Sequence, residues 1–166
     1  MKLPALMLAL CLALAIAVAG CGGSSDSSSG SSGSSSAEPD NTDLSKKPIV
    51  VVPKGVSPKT FAYKEIVEGT GPVAKSGDKV TVQYVGVGFD TEKEFDSSWS
   101  RNEPFPFTLG AGEVIKGWDK GVEGMKVGGR RELLLPGDLA YGPAGNPPKI
   151  GPNETLIFII DLLKVE

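Results

Sequence analysis

"GEVIKGWDKGVEGM", Gly112 to Met125, is the stretch that decides the fold. Val114, Ile115, Trp118 and Val122 fall at i, i+1, i+4 and i+8, one face of a helical wheel. Yet Gly117, Gly121 and Gly124 each weaken a helix by roughly 1 kcal/mol relative to alanine. So short and weak a helix is expected to exist only through packing. Gly117 and Gly121 flank the apolar face, where a missing side chain lets the backbone approach a sheet closely. Trp118 is then expected between helix and sheet.

The flanking sequence supplies that sheet. "FAYKEIVEG" (Phe61–Gly69) reads as a strand ending at a Gly-Thr-Gly-Pro turn. In "GDKVTVQYVGVG" (Gly77–Gly88), Val80, Val82 and Tyr84 alternate with Lys79, Thr81 and Gln83, the period of a half-buried strand. "FPFTL" (Phe105–Leu109), "GGRRELLLP" (Gly128–Pro136) and "TLIFIIDLLKVE" (Thr155–Glu166) add three more, the last dense enough to be central, with Phe158 and Ile160 on one side. The expected architecture is α+β: an antiparallel sheet of five or six strands folded around one short helix on its concave side. Two loops stand out, Ser97–Pro104 and Gly137–Glu154, the second with four prolines and four glycines. Long, stiff loops on a compact scaffold commonly build a site.

The N-terminus reads differently. Residues 1–20 combine Lys2, an apolar run from Leu6 to Ala19 and small residues before Cys21, the pattern of a secretory leader. Val18-Ala19-Gly20-Cys21 resembles a bacterial lipobox, in which cleavage precedes the cysteine and the thiol carries a diacylglyceryl group. Residues 22–36 contain ten Ser and four Gly and cannot bury a core. Cys21 to Ser57 is therefore read as a lipidated cysteine and flexible tether spanning roughly 30–36 Å, and residues 58–166 as one domain. "PIVVVP" (Pro48–Pro53) fits either an edge strand on the domain or an apolar piece of linker. These features place the protein at the bacterial cell envelope, on the periplasmic or the extracellular face.

Composition narrows the chemistry. The chain has no histidine, and its two cysteines lie in the leader and at the lipidation position. Histidine-based triads and histidine-ligated zinc are thereby excluded, as are a disulfide and a reactive thiol in the domain. Twenty acidic residues against 17 basic ones give a net charge of −3; nucleic acid is not an expected partner. "GAGEVIKG" imitates a dinucleotide loop, but its third glycine is misplaced and no βαβ unit surrounds it. "DTEKEFD" reads as a solvated hairpin rather than a calcium site. Trp99, among polar residues, fits partner contact or surface packing.

"VQYVG", the run "EFDSSWSRNEPFPFTLGAGEVIKGWDKGVEGMKVGGRRELLLPGDLAYG" and "TLIFIIDLLKVE" resemble the FKBP-type peptidyl-prolyl cis-trans isomerases over nearly all of residues 58–166. The resemblance implies a half-barrel sheet wrapped on one helix, an activity that rotates Xaa-Pro bonds, and no cofactor or metal. It implies a pocket formed by Tyr84, Phe95, Asp96, Arg101, Phe105, Val114, Ile115, Trp118, Tyr141, Ile150 and Phe158. Within it, Asp96, Tyr141 and Phe158 take the catalytic roles: Tyr141 donates to a substrate carbonyl, Asp96 orients the rotated carbonyl or orders Tyr84 and Arg101, and Phe158 keeps the cavity dry. The implied partners are proline-containing polypeptides and macrolides of the tacrolimus or rapamycin type. Lacking the long N-terminal helical segment by which some exported relatives dimerise, the chain is expected to be a monomer.

Two departures accompany the match. Asn146 stands where many members carry histidine, followed by Pro147-Pro148-Lys149, and the hairpin "GFDTEKEFD" has Glu92 near the usual turn glycine. Three functions remain to be separated: an isomerase acting on exported proteins, a binding module that holds a partner's proline without turnover, and a chaperone-like envelope factor. Turnover of a proline tetrapeptide separates the first from the second; suppression of aggregation by an isomerase-dead variant would mark the third.

Overall fold

The computed structural model describes residues 39–166; the expected leader, Cys21 and the first part of the tether lie outside them. In chain order the elements are β1 (Ala62–Val67), β2 (Lys79–Gly88), β3 (Glu94–Ser97), α1 (Ser98–Arg101), β4 (Phe105–Thr108), α2 (Lys116–Val122), β5 (Arg130–Leu135) and β6 (Leu156–Val165). The strands form one antiparallel sheet in the order β1-β5-β6-β2-β3, with β4 also paired to β2. This six-stranded sheet with one main helix is the expected α+β architecture.

Alternation along the strands sends two sets of side chains to opposite faces. Val80, Val82, Tyr84, Leu133, Leu135, Leu156, Phe158, Ile160 and Leu162 point to the concave side and form the main core with Trp118, Val122 and Met125. Helix α2 is shorter than its apolar pattern. Ile115 is its N-cap, with no side-chain capping bond, and Val114 precedes it. Packing sustains it instead: a Cβ on Gly117 would lie 2.6 Å from a Leu135 methyl, and one on Gly121 2.5 Å from a Leu133 methyl. Its C-terminal carbonyls are met by Arg131, whose guanidinium donates to Gly121 O at 2.6 Å and Glu123 O at 3.3 Å, a favourable place for a cation.

The other face of the sheet is buried too. Val85, Val87, Ile157 and Ile159 are at most 6% exposed, yet they lie outside the main core. The covering comes from residues assigned above to the tether. Pro48 is buried, and Lys47 to Val50 line a crevice with Val85 and Val87. Pro48–Pro53 forms no strand, so of its two readings the edge strand fails; prolines at both ends remove ladder donors. Asn41 closes the loop by accepting from Ile49 N at 2.9 Å and donating to Ile49 O at 2.8 Å. From Asn41 onward the expected tether is therefore a strap on the sheet, not a free linker.

The strap is fastened on a buried ion pair. Arg130 and Asp161 side chains are 1% and 2% exposed. Arg130 Nε and Nη2 donate to the two carboxylate oxygens at 2.5 and 2.7 Å. Its remaining donors reach strap carbonyls: Asn41 O at 2.8 Å, Asp43 O at 3.3 Å and Lys46 O at 3.0 Å. A buried guanidinium needs every N–H satisfied, and here the strap completes the set. Burial pushes the Asp161 carboxyl up, against the pull of Arg130.

Candidate active site

The concave face, α2 and the loops around them enclose a cavity of about 430 Å³, within the usual size for a small-ligand site. Trp118, 4% exposed, is its centre. Its indole meets the Tyr84 ring at 4.9 Å, Phe158 at 5.3 Å and Phe105 at 6.1 Å, each near-perpendicular. Phe95 stands edge-on to Phe158 at 5.5 Å. Such edge-to-face packing fixes ring orientations as well as filling space. Gly86 makes the Phe95–Phe158 contact feasible, since a Cβ there would lie 2.7 Å from both rings.

The polar wall is a connected network. The Tyr84 hydroxyl donates to Asp96 Oδ2 at 2.5 Å, and Arg101 Nη2 donates to the same hydroxyl at 2.8 Å. Arg101 Nη1 bonds Asp96 Oδ1, which also accepts from Ser97 N at 2.9 Å. Burial pushes the Asp96 carboxyl up, but the bonds from Tyr84 and Arg101 outweigh it and hold it below the ordinary carboxylate range. Burial and the Asp96 carboxylate push the Tyr84 hydroxyl up to about 12. Burial and the same charge raise Tyr141, against a hydrogen bond from Asn146.

Of the residues the family resemblance implied, Tyr84, Phe95, Asp96, Phe105, Val114, Ile115, Trp118, Tyr141 and Phe158 line the cavity. Arg101 does not line it but bonds two residues that do. Ile150 departs from expectation: it is 3% exposed and packs in the main core rather than on the cavity. Its backbone closes a tight bridge, Asn146 N donating to Ile150 O at 2.9 Å and Ile150 N to Asn146 O at 3.0 Å. Glu113 lines the cavity and was missed. Left-handed backbone at Gly110 and Gly112 (φ +76° and +73°) returns the chain so that the Glu113 carboxylate accepts from Thr108 N at 2.9 Å. Those two glycines, two residues apart just before it, were the available signal. Across the mouth, Lys149 Nζ donates to Phe95 O at 2.9 Å and ties the long loop to β3.

Fold and site together define a family, and the comparisons agree. The family model for FKBP-type peptidyl-prolyl cis-trans isomerases matches residues 71–163. An FK506-binding protein of Streptomyces anulatus is 58% identical over 121 residues, spanning 72% of this chain and 98% of that protein. Peptidyl-prolyl cis-trans isomerase Fkbp12 of Drosophila melanogaster is 54% identical over 92 residues, 55% of this chain and 84% of its own length. The crystal structure of AtFKBP13 superposes with a TM-score of 0.60 at 39% identity, covering 67% of this chain and 97% of that one. The chain belongs to the FKBP-type peptidyl-prolyl cis-trans isomerase family, and its enzyme class is peptidyl-prolyl isomerase.

Proposed function

We propose that the chain catalyses Xaa-Pro rotation in exported polypeptides while a lipid on Cys21 holds it at the cell envelope, and that the aromatic cavity acts by favouring the twisted amide. Rotation costs roughly 18–20 kcal/mol because the planar C–N bond has partial double-bond character. Twisting ends the conjugation, so the twisted amide is less polar than the planar one. The planar form accordingly loses more on leaving water, and a dry cavity narrows the gap between them. The observation that carries this reading is a ring-lined cavity in which the Asp96 carboxylate is already bonded to Tyr84, Arg101 and Ser97. A carboxylate so held can order Tyr84 and face a rotated carbonyl without exchanging a proton. Tyr141 supplies a hydroxyl donor at the rim, and Phe158 a dry wall. The names of the relatives, FK506-binding proteins, support binding of tacrolimus-type macrolides in the same cavity.

The test is a proline tetrapeptide isomerisation assay with and without tacrolimus. Catalysis abolished by the macrolide is expected; a rate at background would remove the proposal. Because Asp96 is held below the ordinary carboxylate range while the Tyr84 hydroxyl is pushed up to about 12, kcat/KM is expected to be flat through neutral pH. A depressed carboxyl keeps its charge until pH falls through its folded pKa, so decline is expected only on the acid side, below the ordinary carboxylate range. For the anchor, Cys21→Ala is expected to move the protein from the membrane fraction to the soluble one, with loss of the lipid mass at the N-terminus. Slow Xaa-Pro isomerisation can limit folding, which gives an exported isomerase its use.

A further inference from the structure

Asp96 and Arg101 stand on one short arc of chain, from Glu94 at the start of β3 to Arg101 at the end of α1. Its inner side is held on β2, where Ser98 Oγ accepts from Tyr84 N at 2.8 Å, while Glu94 and Ser100 on its outer side are exposed. α1 has a single turn, capped by Ser97 and ended by Asn102 in the left-handed conformation. The strap meets this arc from outside. Lys47 Nζ lies 2.9 and 2.8 Å from the two oxygens of the Glu94 carboxylate and 3.1 Å from Ser100 Oγ. Ser100 Oγ also donates to Glu94 Oε1 at 3.3 Å. One ammonium thus joins the beginning of the arc to its last turn, while Phe95, Asp96 and Arg101 project from between and beside these points toward the cavity.

We propose that Lys47, which lies outside the family match at residues 71–163, is a positioning residue for the isomerase, clamping the arc that presents Asp96 and Arg101. The inference rests on the isomerase reading and on the role given there to Asp96. The clamp acts by restraint and touches no substrate. It also gives the strap a part in catalysis besides covering the sheet. The strap is itself held, by Asn41 across its loop and by Arg130 beneath it, so Lys47 approaches Glu94 from a fixed support.

The test uses the full chain, purified in detergent, as wild type, Lys47→Met and Lys47→Arg. Lys126→Met is the control, since Lys126 pairs with Glu68 at 2.6 Å in an exposed ion pair distant from the cavity. An exposed pair of this kind is weak, so Lys47→Met is expected to lower kcat/KM about two- to five-fold, with kcat rather than KM changing and the melting temperature unmoved. Hydrogen exchange at amides 97–103 is expected to quicken several-fold, with β5 and β6 unaffected. Lys47→Arg should restore both readouts, and Lys126→Met should alter neither. The proposal is overturned if exchange and rate are both unchanged, if only one of them moves, or if Lys126→Met matches the effect. Exchange reports on the clamp whether or not the chain turns over, so failure of the isomerase reading would show separately, as wild-type turnover at background.

Discussion

Trp118→Leu is expected to lower kcat/KM on the order of 10–100-fold while leaving a folded protein at low temperature. The indole packs against the Tyr84, Phe105 and Phe158 rings together. Leucine keeps the floor apolar but not flat, and it is smaller. The rings above lose the surface that sets their tilt, and water gains room in a cavity whose value lies in excluding it. The lost packing also costs stability, about 2–4 kcal/mol by the usual scale for large-to-small core changes. Rates must therefore be compared at a temperature where circular dichroism shows both proteins folded. Turnover within two-fold of wild type under those conditions would mean that the indole is core and nothing more.

Arg130→Met carries the largest expected effect on stability, a loss of about 3–5 kcal/mol out of a total of about 5–15 kcal/mol for a domain. The substitution leaves the Asp161 charge buried without its partner and strips donors from Asn41, Asp43 and Lys46 carbonyls. Adding Asp161→Leu should recover a large part of the loss, because a buried pair replaced on both sides by apolar groups is often close to neutral. The pair sits on the sheet face away from the cavity, so the double variant is expected to retain isomerase activity while folded. Chemical denaturation of wild type, single and double variants decides. A loss below about 1 kcal/mol for Arg130→Met would show that the pair and the strap it fastens matter little to the fold.

These two residues also mark how far the sequence could be read. Trp118 was legible: helical spacing put it on an apolar face, flanking glycines put that face against a sheet, and the family resemblance named the cavity. The strand alternation at Val80, Val82 and Tyr84 placed the tyrosine inward, where it lines the cavity, and Phe158 with Ile160 likewise. Arg130 was not legible. In "GGRRELLLP" it reads as an ordinary strand cation, and nothing in the composition near residue 161 announces a buried acid. The strap escaped for a related reason. It binds Arg130 through backbone carbonyls, which every residue carries, and so leaves no side-chain pattern. Its polar, proline-bearing sequence is also what a linker looks like. Ile150 was placed on the cavity by resemblance; it packs in the core, and the bridge that joins it to Asn146 is made by main-chain atoms as well. Side-chain periodicity carries the layers of this fold; closures made by main-chain atoms are invisible to it.

The central claim is that Xaa-Pro rotation here is driven by placing the amide in a dry aromatic cavity, with no proton moved by Asp96 or Tyr141. The direct measurement is kcat/KM for a proline tetrapeptide in H2O and in D2O. A ratio of about one is predicted, since a reaction without proton transfer in its transition state has no solvent isotope effect of that origin. A ratio of about two or more would contradict the account and make one of those groups a proton donor.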